Sequence, residues 1–472
     1  MQLYRKHYYD GSWQKAQQDT LIAVLNPATE GVIGKVPAAT AGDVDAAVAA
    51  AAAALPSWSA TAPQVRRGYL KQIHQQLVAA APELAQLITA ELGMPIKLSQ
   101  RIQAGLPALV LESYVELLAD YSFSERIGNS VVIKEPVGVV AAITPWNFPL
   151  HQLMIKVAAA LAAGCTVVAK PSELTPLSAF VLARIVDQCD LPPGVFNMVS
   201  GDGTEAGAAL AAHPLVNMVS FTGSTVIGKA ITADAAGTLK RVALELGGKS
   251  AAIVLDDADF EPAVKATVNS CFLNSGQTCN AHTRLLVPQE HYDQVVALVR
   301  QHAAVFIPGS PLDSATRIGP LVSSDQQDRV LGFICSGIEQ GAELVTGGVE
   351  PPEGLPLGYY VQPTVFGRVT ADMTIAQEEI FGPVLCIMTY TDEGEAITLA
   401  NSTIYGLAGG VWSQNQDRAE RVARQVQAGQ VDINGGRFNV LAPFGGYKQS
   451  GIGRELGRYG LEEYLQIKAL QF

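Results

Sequence analysis

Charged residues, aromatic residues and cysteines are all scarce in this 472-residue chain. Only 16% of its residues are charged, 7% are aromatic, and there are six cysteines. The thiols, Cys165, Cys189, Cys271, Cys279, Cys335 and Cys386, are too few and too irregularly spaced for a disulfide framework. No CxxC pair offers a metal site. Reduced thiols are expected of a cytoplasmic protein. Positive charge is in deficit, with 32 Lys and Arg against 44 Asp and Glu, a net −12. That balance excludes a basic footprint for nucleic acid and a polybasic patch for a membrane surface. A long, unbroken apolar run is also missing, although mean hydropathy is +0.20. Residues 46–65 lack charge but are mostly alanine and break at Pro56, Ser57, Ser59 and Pro63; residues 136–155 are cut by Pro145, Asn147 and Pro149. Neither suits a bilayer helix. The opening residues, MQLYRKHYYDGSW, lack the basic-then-apolar order of a secretory leader. The expectation is a soluble intracellular protein of two or three domains, at roughly 100–200 residues per domain.

What is present is an alternation. Residues 42–120 read as helical: Asp43 starts an alanine-rich run, Leu70, Ile73 and Leu77 form one apolar stripe, and Leu84, Leu87, Ile88 and Leu92 form the next before Gly93 and Pro95. From residue 137 the texture changes. Short apolar runs predict strands at 137–143, 166–169, 195–199, 218–221, 242–244 and 251–255. Helical stretches fall between them at 150–163, 177–189, 204–212 and from 223 onward. Such alternation implies βαβ units and a parallel sheet covered on both faces. Past Asp256 the pattern restarts, with a helix near 262–274, strands at 284–287, 361–365 and 384–390, and helices from 291 and over 393–401. Two short strand-compatible pieces, 122–134 and 464–472, fit neither unit; they read as a subunit-contact arm or as plain edge strands.

Four signals carry the chemistry, and each alone is ambiguous. Gly223 and Gly228 bracket a βα turn suited to phosphate, or are small for steric reasons; the spacing is not GxGxxG. Cys279 follows Asn274-Ser-Gly-Gln-Thr, a polar context for a nucleophile, whereas most lone cysteines are inert and buried. Glu245, between leucines and followed by Gly247 and Gly248, is either a base with a raised pKa or a paired structural glutamate. Asn147, in Pro145-Trp-Asn-Phe-Pro149, is an amide donor for an oxyanion or a turn residue between prolines. Taken together, a thiol, a carboxylate and an amide donor are the parts needed to form and hydrolyse a thioester.

Over nearly its whole length the chain resembles the aldehyde dehydrogenase superfamily. The matching stretches are Pro145-Trp-Asn-Phe-Pro149, Lys170-Pro-Ser-Glu173, Phe221-Thr-Gly-Ser-Thr-Val-Ile-Gly228 and Leu244-Glu-Leu-Gly-Gly-Lys249. Further on come Asn274-Ser-Gly-Gln-Thr-Cys279, Glu378-Glu-Ile-Phe-Gly-Pro383 and Pro443-Phe-Gly-Gly-Tyr-Lys-Gln-Ser-Gly-Ile-Gly-Arg-Glu455. The resemblance implies that Cys279 attacks the aldehyde, that Asn147 and the Cys279 amide hold the oxyanion, and that Glu245 activates the hydrolytic water. It implies a proton path through Lys156 and Glu455. For the cofactor it implies Trp146, Lys170, Ser172, Glu173, Gly223, Ser224, Val226, Gly228, Leu246, Glu379 and Phe381, with no metal. Glu173 favours NAD, since a carboxylate accepts ribose hydroxyls and repels a 2′-phosphate, though NADP stays possible. Phe148, His151, Thr278, Asn280, Arg437, Phe438, Asn439 and Phe444 would border the aldehyde tunnel. Arg437, a cation in an apolar and amide loop, would bind a substrate carboxylate or a neighbouring loop or subunit.

The implied fold is α/β, with a Rossmann-like parallel-sheet cofactor domain (1–120 and 137–247), an α/β catalytic domain (248–446) and a small β oligomerisation arm (121–136 and 454–472). The arm would make a homodimer or a dimer of dimers. The expected activity is NAD(P)-dependent oxidation of a small-molecule aldehyde to its carboxylic acid. The alternatives are transfer of the acyl group to coenzyme A, against which Glu245 counts, and a cysteine esterase or thioesterase, which leaves the cofactor motifs unexplained.

Overall fold

A computed structural model describes all 472 residues. The change in sequence texture at residue 137 marks the entry into an eight-stranded sheet. Its five central strands are parallel, in the order Arg241–Glu245, Met218–Thr222, Val139–Ile143, Thr166–Lys170 and Phe196–Met198. Antiparallel strands close both edges: Gly451–Ile452 on one side, and Lys6–Tyr9 followed by Ser12–Lys15 on the other. Successive residues go to opposite faces, as a pleat requires. Val140 and Ala142 join the larger core, while Val139, Ala141 and Ile143 join the smaller one under helix Ala41–Ser59. The chain order reverses between Val139–Ile143 and Met218–Thr222. Open α/β sheets place a ligand crevice outside the carboxyl ends of the strands at such a switch point.

The second sheet has seven strands, ordered Glu343–Thr346, Thr364–Gly367, Val384–Tyr390, His282–Pro288, Ser250–Val254, Ala408–Trp412 and Gln430–Ile433; all but the first are parallel. It too separates two cores, with Ala251 and Ile253 facing one and Ala252 and Val254 the other. A third sheet pairs Leu465–Gln471 with Ser130–Pro136, and that strand with Ser124–Ile127. The α/β class with parallel sheets is therefore observed.

Several local expectations need correction. The first helix is capped by Thr40, with Asp43 completing the capping box three residues later rather than starting the helix. The strand expected at 361–365 is Thr364–Gly367, because Pro363 has no N–H to give a ladder. The expected helix at 204–212 is a π-helical turn, Gly203–Gly207, followed by Ala208–Ala212. A continuous helical run, Ile96–Asp120, is long and apolar enough to cross a membrane by length and composition. Its interior is a π turn at Ser99–Gln103, and Val110, Leu111, Tyr114 and Leu118 lie in the main core.

Candidate active site

Helix Pro149–Ala163 is buried on every side. A helix with no solvent face has no ordinary place for polar side chains, so its His151, Gln152 and Lys156 need explanation. It begins where strand Val139–Ile143 ends, and the intervening loop carries Trp146 and Asn147. Asn147 is fixed from both ends. Its Nδ2 donates to the Gln277 carbonyl at 3.0 Å, and its own carbonyl accepts from Gln103 Nε2 at 2.9 Å and Asn274 Nδ2 at 3.0 Å. Gln277 lies two residues before Cys279, so the amide is held against the segment that carries the thiol.

That segment arrives from the amino end of the second sheet. Helix Phe260–Phe272 breaks into a tight turn in which Asn274 and Ser275 take left-handed φ of 52° and 57°. The strain is held by hydrogen bonds from Ser275 Oγ to the Gly319 carbonyl (2.8 Å), from the Val322 amide to Gln277 Oε1 (2.9 Å) and from Gln277 Nε2 to the Asn274 carbonyl (3.0 Å). Thr278 Oγ1 donates back to the Leu273 carbonyl at 3.2 Å. The Cys279 thiol is half-buried. Burial, followed by the nearby Glu379 and Glu245 carboxylates, pushes its pKa up to about 12, while the amides of Asn280 and Cys279 act in the opposite direction. The free protein therefore holds Cys279 as a thiol.

Glu245 ends strand Arg241–Glu245, 5% exposed, and neither carboxylate oxygen has a hydrogen-bond partner. Burial and the neighbouring Glu455 raise its pKa well above the usual carboxylate range, opposed by Lys156 and Arg454. The two glycines that follow it are steric requirements. A Cβ on Gly247 would overlap the Glu379 carboxylate, and one on Gly248 the Cys279 carbonyl. Lys156 and Glu455 form an ion pair that is almost completely buried. Such a pair is costly to desolvate and contributes little net stability.

The predicted cofactor residues line the switch point. Ser224 caps helix Thr225–Ala235 by accepting from the Ile227 amide (3.3 Å), Gly223 donates to the Glu245 carbonyl (3.0 Å), and Gly228 packs against Leu246. Val226 is 76% exposed at this helix start, beside the half-exposed Ile227. Lys170 Nζ donates to the Pro171 and Gly201 carbonyls (3.0 and 2.8 Å) and stands 3.7 Å from Glu173. Ser172 Oγ accepts from the Leu174 amide at 3.3 Å. Trp146 meets Phe381 edge-on at 5.2 Å, and the Trp146 carbonyl accepts from Thr175 Oγ1 at 3.0 Å. Glu379, its pKa raised to about 7 by burial, accepts from the Gly248 amide at 3.0 Å. An open helix N-terminus, an exposed apolar residue beside it and two separate carboxylates fit a dinucleotide: pyrophosphate, base and two riboses.

Thr278 and Asn280 flank Cys279, and the other six expected tunnel residues divide into two groups. Phe148 and His151 are buried at the start of helix Pro149–Ala163; burial lowers the His151 pKa to about 4, leaving a neutral imidazole. Arg437, Phe438, Asn439 and Phe444 line a cleft of about 320 Å³ that also includes Asp432. Phe438 and Phe444 meet edge-on at 6.0 Å, and Arg437 forms no ion pair within the chain. Sequence reasoning missed Gln103, in an ordinary helical stretch with no local signal. It also missed Ser450, whose Oγ donates to the Gly247 carbonyl at 2.6 Å.

Comparison with known proteins gives the family. The profile described as "Aldehyde dehydrogenase family" matches residues 13–470. A 3-succinoylsemialdehyde-pyridine dehydrogenase from a Pseudomonas species is 50% identical, over 100% of this chain and 99% of its own. An aldehyde dehydrogenase C mutant from Pseudomonas syringae, solved with NAD+ and octanal, superposes with a TM-score of 0.98 at 47% identity, covering 99% of this chain and 96% of that one. The Mycobacterium tuberculosis aldehyde dehydrogenase complexed with NAD+ also gives 0.98, at 42% identity over 100% and 98% of the two chains. The chain belongs to the aldehyde dehydrogenase family, oxidoreductases that convert an aldehyde to a carboxylic acid through a catalytic cysteine with a nicotinamide dinucleotide.

Proposed function

We propose that this chain oxidises its aldehyde with NAD through a thioester on Cys279, which Glu245 then directs to hydrolysis. The observation that carries this reading is convergence: Gly248, three residues past Glu245, packs on the Cys279 carbonyl and donates its amide to Glu379, and Asn147 is clamped to the Gln277 carbonyl two residues before the thiol. A thiol held up to about 12 must lose its proton to solvent as it attacks. The attack gives a tetrahedral oxyanion, which the Asn147 amide and the Cys279 N–H stabilise. The bound cofactor supplies the hydride acceptor. Glu245 then removes a proton from water, the hydroxyl adds to the thioester carbon, and the C–S bond breaks. The balance is RCHO + NAD+ + H2O giving RCOO−, NADH and two protons. Trp146, Lys170, Ser172, Glu173, Gly223, Ser224, Val226, Gly228, Leu246, Glu379 and Phe381 would hold the dinucleotide, and Glu173 supports NAD over NADP.

The proposed units are a cofactor unit over 1–120 and 137–247, a catalytic unit over 248–446, and an arm from 121–136 with 454–472; the two parallel sheets support the division. The arm presents Ile127, Ile467 and Phe472 to solvent, which supports a homodimer or a dimer of dimers. Six free thiols support a cytoplasmic site. The substrate is proposed to be an aldehyde with an apolar or aromatic tail, matched to Phe438 and Phe444. Arg437 would read a carboxylate or carbonyl at the far end. An aldehyde panel followed by NADH absorbance tests the reading, with ω-carboxy aldehydes beside their uncharged isosteres. Wild type should turn over, and Cys279→Ala should give no NADH with any member. Arg437→Ala should lower the preference for the carboxy aldehydes; an unchanged ratio removes Arg437 from recognition. NADH formation by Cys279→Ala would refute the thioester.

A further inference from the structure

Beside the Lys156–Glu455 ion pair, four buried oxygen atoms have no partner in the protein. They are both carboxylate oxygens of Glu245, Oε2 of Glu455 and the hydroxyl of Tyr114. Tyr114 comes from helix Gly105–Asp120, Lys156 from Pro149–Ala163, Glu245 from a strand end and Glu455 from the segment after the last edge strand. Four separate elements thus deliver polar groups to one buried place. The Tyr114 hydroxyl and the Glu455 backbone stand at the same distance, 2.8 Å, from the point where a Cβ on Gly460 would lie. Only a glycine there leaves the hydroxyl its place beside Glu455.

Charge counting shows what the arrangement requires. The groups facing Glu245 are Glu455, Lys156, Arg454 and Glu463, and those facing Tyr114 and Tyr464 centre on Glu455. Tyr464 is already engaged, donating to Ser220 Oγ at 3.0 Å. Glu245, Glu455 and Glu463 set against Lys156 and Arg454 leave one carboxylate without a counter-charge, so the two buried carboxylates share a proton. A hydroxyl that donates to one carboxylate favours the charge there and leaves the proton on the other.

We propose that Tyr114 is a positioning residue: its O–H donates to Glu455 Oε2 through one water, keeping Glu455 ionised against Lys156 and the shared proton on Glu245. The proposal rests on the reading of Glu245 as the hydrolytic base. When Glu245 must accept a proton from water, its own proton first passes to Glu455; one O–H bond breaks, one forms, and nothing is oxidised or reduced. Tyr114 sets how readily that transfer occurs.

The test is the pH profile of acyl-enzyme breakdown after a single-turnover burst, for wild type and Tyr114→Phe. The substitution removes one oxygen, keeps the ring and breaks no hydrogen bond within the protein. Without the donor, the shared proton moves to Glu455 and Glu245 ionises at lower pH. The acid limb should then shift down by about one pH unit, the size expected for a hydrogen bond to a charged group. An unmoved limb, or an upward shift, overturns the proposal, because a packing role leaves the limb in place. Infrared spectra provide a check on the wild-type arrangement that does not depend on the Tyr114 variant. A protonated-carboxyl band at neutral pH that disappears in Glu245→Gln supports the proposal; one that disappears in Glu455→Gln instead overturns it. Glu245→Gln separates the two readings. If it bursts but does not turn over, the base assignment stands whatever Tyr114 does. If it turns over normally, both fall.

Discussion

At the scale of single residues, the site is built from groups held away from their solution behaviour. Glu245 is buried without a hydrogen bond, Cys279 lies near two carboxylates, and Lys156 is ion-paired with Glu455. A group kept from its preferred protonation state gains most when the reaction changes that state, which is why perturbed groups cluster at reacting centres. Asn147 contributes differently, by geometry. Its Nδ2 donates to the Gln277 carbonyl at 3.0 Å, which leaves its second N–H for the oxyanion proposed on the Cys279 adduct. Loss of one such donor typically lowers kcat by about 10²–10³-fold. Asn147→Ala should show that loss in kcat for NADH formation while KM for NAD is little changed. A kcat within a few-fold of wild type would remove Asn147 from the oxyanion site.

At the scale of elements, the sequence was most legible where periodicity and burial agree. Helix Pro149–Ala163 and strand Val384–Tyr390 lie within one residue of where the apolar pattern puts them, because nothing in their sequences competes with it. Strand Ala408–Trp412 was not foreseen. Its Gly409 and Gly410 read as breakers, yet a Cβ at Gly410 would lie 2.9 Å from the His282 ring, so the sheet needs a glycine there. Helix Ser324–Glu339 was also missed, since it buries only Val330, Ile334 and Gly337 and shows a thin stripe. The arm is a further case: 122–134 and 464–472 look like unattached strands until the register pairs Leu465 with Pro136 and Gln471 with Ser130. The strand Leu465–Gln471 is exposed along most of its length. Deleting 465–472 should lower the solution mass measured by light scattering from that of an oligomer to that of one chain. An oligomer of unchanged mass would place the subunit contact elsewhere.

At the scale of the whole molecule, the site exists because two sheets meet. Asn147 and Glu245 come from carboxyl ends of the first sheet, while Cys279 comes from a loop that enters a strand of the second at its amino end. The motifs name these residues, but no local pattern brings them together. Their meeting depends on the reversal of strand order and on glycines that let backbones close in. The same holds for Gln103 and Tyr114, whose positions in the sequence carry no sign of a task. The account therefore stands on one covalent event at the junction. Glu245→Gln, mixed with NAD+ and aldehyde, then quenched and mapped by mass spectrometry, tests it most directly. The prediction is one NADH per chain and one acyl group, carried on the peptide containing Cys279. NADH without an acyl group, or an acyl group on the exposed Cys335 instead, would contradict it.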